Sequence, residues 1–309
     1  MKRIQYRQYG GPEVLRLDEV EVPKPGKRQL LVRVRAASAN PADFVVRSGG
    51  LKLLTGRRFP RGLGHDFAGV VERLGDGVTR FKPGDAVFGG TMMRPAGAFA
   101  EWAVVDEKFT AKKPAEVSFE EAGAIATAGA TGMSAVLKAA KLQAGQSVFI
   151  TGCLGAVGRT AAQLALMRGA WVAGSCRDTA QADAEALGID PVVGFDFDPI
   201  PFKGKFDFVV DTADALPLDV ARSMLKPGGH MIDAALSPGK VVRSVFTRQY
   251  KPLMVPWDFK DLETLARVAV EGKISFPVAR TVPLDQAIDA LTELETRRTP
   301  KGGKLVITP

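Results

Sequence analysis

Seven residues, Gly152-Cys153-Leu154-Gly155-Ala156-Val157-Gly158, carry the strongest chemical signal in the chain. They follow Ser147-Val148-Phe149-Ile150-Thr151, which reads as a strand. They precede an Ala/Leu-rich stretch, Thr160 to Met167, which reads as a helix closed by Gly169. In that setting each glycine has a task. Gly152 permits a sharp exit from the strand, Gly155 lets a pyrophosphate approach the backbone, and Gly158 lets helix and sheet pack closely. The helix N-terminus, with Ala156 and Val157 beside it, offers free N–H groups and a partial positive charge to phosphates. The chemistry expected is the binding of a dinucleotide. A ligand-free glycine turn is the bland alternative, and the strand–helix rhythm around the motif argues against it.

The type of dinucleotide is read at the end of the next strand, Trp171-Val172-Ala173-Gly174. Sites selective for NAD place an acid there, about 20 residues past the glycines, to hold the ribose hydroxyls. Here the stretch is Gly174-Ser175-Cys176-Arg177, and Asp178 reads instead as the cap of a helix from about Thr179 to Leu187. Ser175 can hydrogen-bond a 2′-phosphate, and Arg177 can pair with it as a planar fork. The cofactor expected is therefore NADP(H), against the alternative that Arg177 is a solvated surface residue.

These residues need a scaffold, and the chain changes character near Ser118. Residues 1 to about 117 read as short strands between turns, among them Leu30–Ala36, Phe67–Leu74, Asp85–Phe88 and Ala98–Val105. Such spacing predicts a partly open barrel. Ser118-Phe119-Glu120-Glu121 is a capping box that opens a helix. Strands and helices then alternate through Phe206–Asp211 and His230–Ala234, with a helix ending at Lys226-Pro227-Gly228, as in a doubly wound parallel sheet. A helix from Phe259 to Val270, a strand Ala279–Val282, a helix Leu284–Glu295 and a strand Lys304–Ile307 break that rhythm and are expected to pack back on the first domain. The fold class is α/β, with a discontinuous catalytic domain (1–117 and 259–309) around a nucleotide-binding domain (118–258).

Composition narrows the function class. Apolar residues make up 46% and charged residues 25% of 309, which is ordinary for a soluble chain of two domains. No apolar run approaches the roughly 20 residues that span a bilayer, and the N-terminus has no apolar block of a signal peptide, so the expectation is a cytoplasmic protein with no membrane partner. Two cysteines, Cys153 and Cys176, exclude a disulfide framework and a cysteine-rich zinc site. The net charge of +8 is spread along the chain, which reads as surface charge favouring an anionic cofactor more than as a nucleic-acid face.

Taken together, these motifs resemble the medium-chain dehydrogenase/reductase superfamily, in its zinc-lacking quinone oxidoreductase branch. The likeness rests on Ala39-Asn40-Pro41-Ala42-Asp43, on Gly64-His65-Asp66-Phe67-Ala68-Gly69-Val70-Val71, and on Phe81-Lys82-Pro83-Gly84-Asp85-Ala86-Val87-Phe88-Gly89. Gly97-Ala98-Phe99-Ala100-Glu101 and the glycine loop complete it. Leu54-Thr55-Gly56-Arg57-Arg58-Phe59-Pro60 is similar to a subgroup of chloroplast-envelope quinone oxidoreductase homologues. The resemblance implies a GroES-like catalytic domain, a Rossmann domain, a cofactor cleft between them, and reduction of quinones or of the C=C bond of enones. Zinc alcohol dehydrogenases carry a cysteine ligand where this chain has Asn40, and another within the stretch matching Ala126 to Ala128. Their ligand histidine matches His65, but one histidine does not make a three-ligand catalytic site, so none of these residues is expected to bind metal.

Without a metal, geometry and oxyanion stabilisation must drive hydride transfer. Three residues are expected in catalysis. Asn40 carries an amide able to donate to a carbonyl, or is a turn residue before Pro41. Asp43 orients Asn40 or the cofactor, or makes a structural bond. His65 donates to the oxyanion or delivers a proton, or is a buried histidine satisfied by backbone. Thr131 matches the family's threonine near the nicotinamide, or bonds within its helix. Cys153 at a helix N-terminus is either a reactive thiol or a small hydrophobe in a packed loop.

The competing readings are a zinc-type alcohol dehydrogenase relative and a non-catalytic NADPH-binding or RNA-binding protein. Arg243 to Lys251 supplies scattered cations but few aromatics for stacking bases. Lys251-Pro252-Leu253-Met254-Val255-Pro256 reads as an edge strand able to pair a homodimer. Substrate specificity is expected in the loops 44–62 and 240–258.

Overall fold

Period-two apolar runs build the first part of the chain and strand–helix alternation the second. The computed structural model describes residues 1–91, 97–235, 248–253, 258–297 and 302–309. Two units result: Met1–Ala128, Trp257–Gly272 and Phe276–Pro309 form one, and Gly129–Pro256 with Lys273–Ser275 the other.

In the first unit, β1 (Lys2–Tyr6), β2 (Arg16–Glu19) and β3 (Gln29–Ser38) precede α1 (Pro41–Ser48) and α2 (Lys52–Thr55). Then come β4 (Arg61–Gly62), β5 (Asp66–Leu74), β6 (Ala86–Gly90), β7 (Trp102–Asp106) and β8 (Thr110–Lys112). Along β3, Leu30, Val32 and Val34 face the core while Arg33 and Arg35 face water, which the alternation of residue types requires. β3, β5, β6 and β8 lie side by side, antiparallel, with β7 on the other edge of β3.

α3 (Phe119–Met133) opens on the expected capping box: Glu121 accepts from the Ser118 N–H at 3.0 Å, and the Glu121 N–H donates to the Ser118 Oγ at 3.2 Å. The helix runs on into a π-helical segment, Ser134–Ala139. Beyond it lie β9 (Ser147–Thr151), α4 (Ala156–Met167), β10 (Trp171–Ser175), α5 (Gln181–Ala186), β11 (Val192–Val193), β12 (Phe206–Asp211), α6 (Leu218–Met224), β13 (Leu225–Asp233) and β14 (Tyr250–Pro252). All six strands are parallel, in the order β11-β10-β9-β12-β13-β14. Numbered from β9, that is 3-2-1-4-5-6, the dinucleotide-binding order, in which ligands sit at the carboxyl ends where the order reverses. Lys226-Pro227-Gly228 falls inside β13 rather than at a helix end, because α6 stops at Met224. β14 is the last strand of this sheet among the described residues, and 254–256 of the expected edge strand lie outside them.

α7 (Phe259–Val270), β15 (Val278–Pro283), α8 (Ala287–Arg297) and β16 (Lys304–Thr308) belong to the first unit, apart from the short segment before β15. β16 pairs antiparallel with β3, Val306 opposite Ser38 and Ile307 opposite Ala37. Leu284, Leu291, Leu305 and Ile307 share one core with Ile4, Val32 and Phe67. At roughly 1.5–3 kcal/mol for each buried side chain, those four stabilise the unit by about as much as a domain's whole net stability. The C-terminal strand is therefore part of the barrel.

Candidate active site

Asn40 ends the turn from β3 into α1, with Pro41 at the first helical position, where its missing N–H costs nothing. Asp43, on the first turn of α1, accepts from the Asn40 backbone N–H at 2.8 Å. Its other oxygen, Oδ1, lies 2.5 Å from His65 Nδ1. His65 precedes β5 and is buried, and its second nitrogen, Nε2, has no hydrogen-bond partner among the described residues. A buried ring nitrogen left open is costly unless something else binds there. Burial pulls the His65 pKa down, but the Asp43 charge and hydrogen bond, with Asp66 behind them, outweigh it and leave the imidazole above its ordinary value.

Asn40 itself differs from the expectation of a free amide donor. Its Nδ2 donates to Asp66 Oδ2 at 3.0 Å and approaches the Ser38 carbonyl at 3.5 Å, while its Oδ1 accepts from Lys304 Nζ. The side chain is held inside a network. Asp66 is the hub: Ser38 Oγ lies 3.3 Å away, the Thr127 backbone N–H donates at 3.0 Å, the Thr127 hydroxyl donates as well, and Lys304 Nζ stands 3.9 Å off. Lys304 is buried, and desolvation lowers its pKa against the opposing pull of Asp66 and Asp43.

Lys304, Asp66, Ser38 and Thr127 were not anticipated as site residues. Lys304 opens an apolar C-terminal strand and looks like a solvated strand end; only the pairing of β16 with β3 brings it to Asn40, 264 positions away. The usable signal was Asp66, an acid adjacent to the one histidine already singled out.

In the second unit the glycine loop has the geometry its motif demands. Gly152 has φ +62°, in the left-handed region that favours glycine. A Cβ on Gly158 would sit 2.2 Å from the Gly152 carbonyl oxygen, so no side chain fits there. Gly155 caps α4 with extended backbone, and no side chain among the described residues caps the helix, which leaves the N–H groups of Ala156, Val157 and Gly158 for a ligand. Ser175 ends β10, almost fully buried, with an Oγ that has no partner among the described residues; Arg177 is exposed two residues on. An orphaned hydroxyl, a row of open N–H groups and a cradle that a Cβ would fill suit a dinucleotide. Thr131 lies half-buried in the last turn of α3.

One expectation here needs correction, and one pair of alternatives is decided. Asp178 does not cap a helix: it starts a short 3₁₀ turn, its carboxylate accepts from Gln181 Nε2 at 3.3 Å, and α5 begins only at Gln181. Cys153 is not activated by the helix end. Burial, with Cys176 alongside, pushes its thiol up to about 12, so it is a packed small hydrophobe.

Residues 26–115 match the model of the alcohol dehydrogenase GroES-like domain, and residues 187–307 that of the zinc-binding dehydrogenase. The chain is 31% identical over 328 residues to the chloroplastic quinone-oxidoreductase homolog of Spinacia oleracea, covering 100% of this chain and 98% of that one. It is 31% identical over 323 residues to the 2-methylene-furan-3-one reductase of Solanum lycopersicum, covering 100% of this chain and 79% of that one. The quinone oxidoreductase structure from Coxiella burnetii superposes with a TM-score of 0.90 at 30% identity, covering 100% and 99% of the two chains. The chain belongs to the medium-chain dehydrogenase/reductase superfamily, in its quinone oxidoreductase and enone reductase branch.

Proposed function

We propose that this protein is an NADPH-dependent, zinc-independent reductase of quinones or of the C=C bond of α,β-unsaturated carbonyls. The second unit binds the dinucleotide through the open N–H groups of the first turn of α4, with Ser175 and Arg177 on the 2′-phosphate; Thr131 borders the same site. The reduced nicotinamide supplies a hydride. What remains for the first unit is to stabilise and protonate the substrate oxygen.

The observation that carries this reading is the buried Nε2 of His65, which has no hydrogen-bond partner among the described residues. When the imidazole is protonated, Nδ1–H donates to Asp43 and Nε2–H is free to donate to the substrate oxygen. As the β-carbon of the conjugated system, in an enone or a quinone ring, accepts hydride, negative charge grows on the conjugated carbonyl oxygen. His65 passes its proton there, and the enol so formed tautomerises to the saturated ketone or, from a quinone, to the hydroquinone. Asp43 holds the ring and stabilises its charged form. Asn40 acts as a positioning residue: it fixes the start of α1, and thus Asp43.

The donor set supports a reaction without zinc. His65 Nδ1 is engaged by Asp43, Asn40 Oδ1 by Lys304, and an ammonium already stands beside Asp66. Among the described residues no cluster of three His, Cys, Asp or Glu side chains suits a metal ion. A homodimer paired along β14 fits its place as the last strand of the sheet among the described residues, and a monomeric mass at micromolar concentration would rule it out.

The test is NADPH oxidation by purified protein with 1,2-naphthoquinone and with a short alkenone, each with and without chelator. Turnover unaffected by chelation is expected. Stoichiometric zinc with chelator-sensitive activity, or no spectroscopic response to millimolar NADPH, overturns the proposal.

A further inference from the structure

Leu53 and Leu54 are 95% and 75% exposed, adjacent, on the four-residue helix α2. A lone exposed leucine is ordinary, but a neighbouring pair lifted this far into water is not. Flexibility does not explain it, because the base beneath them is tied down. The α2 backbone closes its own turns, with Leu54 and Thr55 N–H donating to the Leu51 carbonyl and Gly56 N–H to that of Lys52. Thr55 is buried and lies 2.9 Å from the Tyr9 hydroxyl. Arg61 donates to the Gly56 carbonyl at 2.8 Å and to the Tyr9 hydroxyl at 3.0 Å, with its guanidinium over the Phe59 ring at 5.0 Å. Partly buried polar contacts thus hold an apolar tip outward.

The charge around that tip has one sign. From Phe44 to His65 the sequence holds no Asp or Glu and five cations. Arg47 is buried against Glu295, and Arg61 is used in the base. Lys52, Arg57 and Arg58 remain exposed beside the leucines, in no ion pair among the described residues. An apolar tip ringed by free cations matches the boundary between acyl chains and acidic headgroups. A second copy of this chain matches it poorly, since a symmetric contact centred on the tip would set the three cations against their own counterparts.

We infer that the Lys52–Arg58 loop is a docking surface for anionic phospholipid bilayers, with Leu53 and Leu54 entering the headgroup boundary and Lys52, Arg57 and Arg58 bound to acidic headgroups. The contact is peripheral and reversible, because two leucines and three cations fall short of a stable anchor. It departs from the expectation of no membrane partner, which rested on the lack of a spanning run. The inference is independent of the proposed reaction.

The full-length protein is mixed with phosphatidylcholine vesicles with or without phosphatidylglycerol, at low and high salt, and floated on a density gradient. Flotation with the anionic vesicles at low salt is expected, about a hundredfold weaker with neutral vesicles. Leu53→Ser/Leu54→Ser should lose binding at unchanged melting temperature, and Lys52→Gln/Arg57→Gln/Arg58→Gln should lose the preference for acidic lipid. No flotation with the anionic vesicles, or equal flotation of the leucine variant, overturns the inference. So do retention on single-stranded RNA without vesicle binding, and loss of substrate affinity in the leucine variant with vesicle binding intact.

Discussion

His65 Nδ1 lies 2.5 Å from Asp43 Oδ1, and the opposite ring nitrogen is buried with no hydrogen-bond partner among the described residues. One nitrogen is thus anchored, and the other is left open. Replacing His65 by Gln should lower kcat by about 10² to 10⁴ with little change in NADPH affinity, since positioned acids contribute on that scale. Steady-state kinetics beside a fluorescence titration of NADPH would separate the two effects. A drop in cofactor affinity with kcat intact would count against the role.

The raised His65 pKa sets the sign of the pH dependence. Activity needs the protonated ring and should fall as pH rises through a value above the ordinary 6.5. By linkage, the stability contributed by His65 is fully present below its unfolded pKa and is lost as pH rises through the raised folded value. Asp43→Asn removes the charge that lifts it, so the alkaline limb of the rate profile should move to lower pH. An unmoved limb would show that Asp43 only caps α1.

Lys304 neutralises a buried carboxylate, so Lys304→Met should destabilise the protein by about 2–4 kcal/mol, near the lower part of the range for breaking a buried pair. The remaining bonds to Asp66 from Ser38, Asn40 and Thr127 keep the loss from being larger. Denaturant unfolding measures it. A change within about 0.5 kcal/mol, typical of surface sites, would mean that Lys304 is solvated.

Ser175→Ala removes a buried hydroxyl that has no partner among the described residues, so the free protein should lose almost no stability. With Arg177→Ala, it should weaken NADPH by about tenfold or more while sparing NADH, as expected when charge-assisted bonds to one phosphate go. Calorimetric titration of both dinucleotides checks this, and equal weakening of the two would remove the 2′-phosphate assignment.

Cys153, pushed up to about 12 by burial, should resist iodoacetamide at pH 8 in the folded protein. Rapid alkylation at Cys153 in native protein, read by mass spectrometry, would contradict the packing described.

Local chemistry made much of this protein legible from its residues alone. The glycine loop, the Ser118 capping box and the strands β9 and β12 follow from spacing and residue type, because turns, caps and short apolar runs between turn residues are set by neighbours in the chain. Asn40, Asp43 and His65 were identifiable as candidates, but not what each one touches. Only the tertiary structure decided that the Asn40 amide is consumed by Lys304 and Asp66, that His65 keeps one open nitrogen, and that Asp178 caps nothing. The physical reason is range: β16 and β3 pair across more than 260 residues, and no local preference encodes which side chain such a pairing sets beside a buried carboxylate.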